Sequence, residues 1–146
     1  MSTFLSMGSH QYRLEDDTLV LRTGGELSLE QAQWLMTTLT KLVDTYGYSL
    51  LIGDASGGVT IPPHVRRWLA EWHKDNPSTA GSAIIIGASL MVRTLVTMIN
   101  HAVRLLGRPT GDLVFAHDEA EARKLLPNRR ALWHSRAKDS LKPPRS

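Results

Sequence analysis

The order of apolar periods along the chain predicts an α/β sandwich on a mixed, largely parallel sheet of four to five strands, opened by an N-terminal hairpin and packed with about four helices. Three observations predict it. Short extended runs alternate with helical periods after a starting pair of strands, as in consecutive strand–helix–strand units. The run S-A-I-I-I-G-A at 82–88 is apolar on both alternations, as a strand covered on both faces requires. Glycines and prolines punctuate the helical periods at Gly47, Pro63, Pro77 and Gly107, where chain reversals or helix boundaries are needed.

Residues 10–14 and 18–23 read as two strands around the acidic turn E-D-D, since Thr18, Val20 and the leucines favour extended backbone and aspartate favours turns. Ser28 opens the first helix, with Gln31 completing an S-x-x-Q capping box and Gly47 as the stop. Leu29, Ala32, Leu35, Leu39, Leu42, Val43 and Tyr46 recur at threes and fours, so this face is expected to be buried. Residues 48–52 form the next strand. A second helix at 62–75 tolerates Pro63 in its first turn and turns Val65, Leu69 and Trp72 inward. The run at 82–88 is expected in the middle of the sheet. A third helix at 89–106 ends at Gly107 and Pro109, D-L-V-F-A adds a strand, and D-E-A-E-A-R-K-L-L forms a short helix with acids first and bases later, matching the helix dipole.

A chain of 146 residues suits one core, which places a single domain at 1–127 and a basic, flexible tail at 128–146. From Pro127 onward the tail holds six basic side chains against one acid, so the net charge of +3 hides a value of −2 for residues 1–126. The basicity therefore describes a solubilising terminus, and no specific nucleic-acid binding is expected. No apolar run reaches the roughly 20 residues of a membrane span, and no basic-then-apolar export signal stands at the start. Absence of cysteine excludes disulfides, thiolate chemistry and cysteine-ligated zinc. A bacterial cytoplasmic setting is the expectation.

The stretch L-L-I-G-D-A-S-G-G at 50–58 raises the question of a serine nucleophile. A nucleophile elbow needs G-x-S-x-G with a helix starting at once; Asp54 stands at the first glycine position and V-T-I-P-P intervenes. In the G-D-S-G-G loop of trypsin-like enzymes Ala55 would be an insertion, and those enzymes are all-β. Ser56 is therefore read as a loop residue in an Asx-type turn with Asp54. The histidines at 10, 64, 73, 101, 117 and 134 include no i, i+4 metal face. His117, Asp118 and Glu119 read as a helix start, and His101 as solvated. No phosphate loop or dinucleotide fingerprint occurs. No catalytic, cofactor or metal-ligating residue is expected.

The third helix stands out. Arg93, Thr97, Asn100 and Arg104 fall within about 60° of one another, leaving an apolar arc of roughly 180° that includes Met91, Val92, Met98 and Leu106. Such width suits a deep central helix, a protein interface or an apolar-ligand pocket. Trp68, Trp72 and His64 on the second helix extend the interface reading.

Five stretches, G-G-E-L-S-L-E-Q-A, L-L-I-G-D-A-S, A-I-I-I-G-A-S, R-T-L-V-T-M-I-N-H-A-V-R-L-L-G-R-P and V-F-A-H-D-E-A-E-A-R-K-L-L, resemble STAS domains, specifically SpoIIAA-like STAS proteins of the kind found in myxobacteria. The resemblance covers about residues 10–127 and implies a helix-backed sheet and a non-enzymatic role: STAS domains dock onto partner proteins, sense ligands or transmit phosphorylation state. Related domains lie near the CRAL-TRIO-type lipid-binding group, which keeps a lipid-like ligand as the alternative. The D-S-S-G phosphoserine segment of anti-sigma-factor antagonists has no counterpart in G-G-V-T-I-P-P-H, so the kinase switch is not carried over. Ser56 and Thr60 remain candidate phosphate acceptors. The expected contact surface comprises Asp54, Ser56, Thr60, His64, Trp68, Arg93 and Arg104, the expected associations are a protein partner or a homo-oligomer, and an enzyme would need Asp54, Ser56 and His64 within hydrogen-bond reach.

Overall fold

The computed structural model describes residues 3–76, 80–105 and 111–140, those at 91, 95, 99, 100, 102–105, 111 and 137–140 by backbone alone. Strands β1 (Leu5–Met7), β2 (His10–Glu15), β3 (Thr18–Arg22), β5 (Ser49–Asp54), β7 (Gly81–Ile86) and β8 (Gly111–Ala116) form one sheet in the order β1-β2-β3-β5-β7-β8. Pairing is antiparallel from β1 to β3 and parallel from β3 to β8. The sheet thus has six strands where four to five were expected, because β1 adds an edge ahead of the hairpin. Its middle is β3 and β5; β7 is an inner strand, paired on both edges, but one place from the rim. A second, two-stranded parallel sheet pairs β4 (Gly25–Glu26) with β6 (Val59–Thr60).

Local signals place the first helix. In α1 (Leu29–Tyr46) Ser28 accepts from the Gln31 amide while the Gln31 side chain accepts from the Ser28 amide, and Gly47 closes the helix at φ +87. Its buried arc is Ala32, Leu35, Met36, Thr38 and Leu42; Tyr46, expected inside, is exposed. Helix α2 (Pro63–Asp75) buries Val65 and Leu69, and α3 (Leu90–Leu105) packs against α2.

Two apolar layers flank the sheet. Leu19, Leu21, Leu27, the inner face of α1 and Val65 and Leu69 of α2 form one; Val20, Leu50, Ile52, Ile84 and Ile86 with Ala122, Leu126 and Trp133 of α4 (Glu119–Ser140) form the other. Successive residues such as Leu19 and Val20 feed opposite layers, as the strand period of two dictates.

The flexible tail expected from residue 128 is corrected, because α4 runs on from Glu119 to Ser140 and helps to cover a whole face of the sheet. Ala122, Leu126 and Trp133 supply its apolar anchors, and the turns between are held by polar groups: Arg130 forks onto Asp17 through Nε (2.7 Å) and Nη2 (2.9 Å), Arg129 reaches Asp112 (2.5 Å), and the Trp133 indole donates to Ser82 (2.8 Å). Pro127 sits inside this helix on its exposed side. Residues 141–146 lie outside the described residues.

Candidate functional site

The parallel strands end together, and the loops that leave them form a rim. At the end of β5 the Asp54 carboxylate accepts from the Ser56 amide (3.0 Å) and from the Ser56 hydroxyl, while the Ala55 amide donates to the Ile86 carbonyl (2.8 Å). This is the Asx-type turn read from D-A-S. Thr23, just past β3, donates its amide (3.0 Å) and hydroxyl (3.2 Å) to the Asp54 carbonyl. Gly87 lies against Ser56: at φ +64, a Cβ there would stand 2.8 Å from the Ser56 Cβ. Only glycine meets both demands.

The small β4–β6 sheet ties this loop to the start of α1, with Leu27 N–H donating to the Thr60 carbonyl (2.8 Å) and Gly25 N–H to the Gly58 carbonyl (3.1 Å). His10 clamps the tie. Its Nδ1 accepts from the Gly24 amide (3.0 Å) and its Nε2–H donates to the Glu26 carbonyl (2.9 Å), which defines the tautomer of this fully buried ring. His10 was invisible as such in the sequence, where its partners lie 14 and 16 residues away.

Of the residues singled out from sequence, Asp54 and Ser56 come together as described. Thr60 is exposed on β6, paired with Glu26. His64 is exposed in the first turn of α2, and among the described residues it makes no hydrogen bond with Asp54 or Ser56. Trp68 is half-buried against the α1–α2 layer, its ring 6.4 Å from that of Trp72. Arg93 lies over the Phe115 ring at 4.9 Å. Arg104 falls among residues described by backbone alone. Of the α3 arc, Val92 is buried, Val96 half-buried and Met98 exposed, while Leu90, which lies outside that arc, is 82% exposed. Leu90 stands three residues beyond Gly87 and about 60° from Arg93 around the helix, beside its polar side, so it falls outside the apolar arc singled out from sequence.

A second polar cluster occupies the opposite end of the sheet. Asp17 accepts from Arg130, from the Tyr48 hydroxyl (2.6 Å) and from the Thr18 hydroxyl (2.9 Å), and His134 Nε2 lies 2.9 Å from the Tyr48 oxygen. Burial alone would push the Asp17 carboxyl up; the hydrogen bonds from Arg130, Tyr48 and Thr18 outweigh it and hold the group at about 2. Burial, then the bond to Asp17, raises Tyr48 to about 12. This cluster fastens α4. Beside it, Arg123 donates to Glu15 (2.9 and 3.0 Å), which chiefly keeps Glu15 at about 2. Among the described residues no three His, Asp or Glu side chains cluster as metal ligands, and no helix is long and apolar enough to cross a membrane.

No protein-family model and no curated protein matches the chain. Among solved structures it is similar to the anti-sigma factor antagonist SpoIIAA in its unphosphorylated form, with a TM-score of 0.54 and 14% identity over 81% of this chain and 97% of that one. At this identity the likeness is one of fold: a SpoIIAA-like, STAS-type arrangement of sheet and helices.

Proposed function

We propose that a chain with this SpoIIAA-like fold serves as a regulatory module that binds a protein partner through the rim at the carboxyl ends of its parallel strands. The observation that carries the reading is Leu90, a large apolar side chain 82% exposed in the first turn of α3, next to a loop whose backbone is pinned by Thr23, Asp54 and Gly87. An apolar side chain on a stiff support binds at low entropic cost. Ser56, exposed in that loop, offers a hydroxyl whose phosphorylation would set new negative charge against Asp54 and open the turn.

Affinity capture from the native host with the parent chain and with Leu90→Asp tests this. A protein retained by the parent and lost by the variant at equal thermal stability is the expected result. Equal retention by both chains overturns the rim as the docking surface. Mass spectrometry of Ser56 and Thr60 after native expression reads the phosphate-acceptor proposal directly, and both residues unmodified removes it.

A further inference from the structure

On the α1 side of the sheet, away from the rim, an open cleft of 380 Å³ is lined by Tyr12, Leu14 and Asp16 of β2 and its turn and by Trp34, Lys41 and Tyr46 of α1. Its volume falls in the range of small-molecule sites, roughly 300–1,000 Å³. The floor is aromatic, with the Tyr12 and Trp34 rings 4.5 Å apart at 54°. Leu14 and Tyr46 leave 46% and 41% of their surface open beside it, and neither is part of an apolar layer.

Chain direction places the two charges. Strand β2 runs antiparallel to β3, and α1 returns from the carboxyl end of the sheet to the start of β5, so β2 and α1 run the same way. From Tyr12 to Asp16 the strand advances about 13 Å. From Trp34 to Lys41 the helix advances about 10 Å and almost completes two turns, so Lys41 stands on the Trp34 face. The carboxylate and the ammonium therefore share the end of the cleft beyond the aromatic floor. Neither makes a hydrogen bond or ion pair with a described residue through its side chain.

The geometry points to a binding site for a small zwitterion with an apolar body, that is, an apolar or aromatic α-amino acid. Its ammonium meets Asp16, its carboxylate meets Lys41, and its side chain lies on Tyr12 and Trp34. Opposite charges on one ligand carbon match opposite charges at one end of the cleft, and an amphiphile with a single charge leaves one of them facing its like. This site is separate from the rim and does not depend on the protein-docking reading.

Isothermal titration with L-tryptophan, L-phenylalanine and L-leucine tests it, with indole-3-propionate, which lacks the ammonium, and tryptamine, which lacks the carboxylate, as controls. At least one of the amino acids binds saturably, and if it is L-tryptophan each control binds about tenfold more weakly, the loss expected for one charge-assisted hydrogen bond. Lys41→Ala and Asp16→Asn each weaken binding about tenfold at unchanged melting temperature, since both side chains are exposed and asparagine tolerates the φ of +53 at position 16. Leu90→Asp leaves binding unaltered. No saturable heat with any of the three amino acids at millimolar concentration, controls that bind as well as L-tryptophan, or variants that bind like the parent overturns the site.

Discussion

Asp17 shows how one buried carboxylate can hold two distant parts of the chain. It is 4% exposed overall, and its donors come from positions 18, 48 and 130. Its ionised form is favoured in the folded state, with a pKa of about 2 against an ordinary 3.8, so its contribution is complete above about pH 4 and is lost as pH falls towards 2. Asp17→Asn is expected to be less stable at neutral pH and to lose less than the parent between pH 5 and pH 2, read by urea denaturation at each pH. Tyr48 carries the opposite sign. Raised to about 12 from 10.0, it favours the folded chain below pH 10 and loses that advantage between 10 and 12, an alkaline limb that Tyr48→Phe removes. His10→Ala leaves the Gly24 amide and the Glu26 carbonyl without partners and a void behind them, costing about 3 kcal/mol in chemical denaturation.

Among the elements, both ends of α1 were legible because its capping box and its αL glycine are written within three residues of them, though Tyr46 of its expected inner face is exposed. Strands β1, β4 and β6 were not, since two or three residues carry no period and exist through pairing with remote partners. The extension of α4 failed to show for a related reason: beyond Leu126 its anchorage is Arg129, Arg130, Trp133 and His134, whose partners at 112, 17, 82 and 48 a pattern reading does not see. At the candidate rim the same division holds. The Asp54–Ser56 turn is local and was read correctly, whereas the exposure of Leu90 depends on what α3 packs against. Thermal melting separates the two contributions of Trp133 to α4. Trp133→Phe loses the bond to Ser82 and costs about 1 kcal/mol, and Trp133→Ala, which empties the site, costs about 3–5 kcal/mol.

For the molecule as a whole, one sheet separates two apolar layers that share strands but not side chains. Ile84→Ala on the α4 side and Leu35→Ala on the α1 side are each expected to cost about 3 kcal/mol, and the double variant to equal their sum within about 0.5 kcal/mol, because substitutions without shared partners add. A clear excess or shortfall in denaturation of the double variant would mean that the sheet transmits strain between its faces.

Helix α4 also has a bearing on how the chain is made. Every strand of the sheet precedes it, and Trp133 leaves the ribosome about 50 residues after Ile86, which at roughly 5–20 residues per second is several seconds later. During that interval the nascent polypeptide carries Val20, Leu50, Ile52 and Ile84 on a face that still lacks its helix, so chaperone engagement during synthesis should centre on that window.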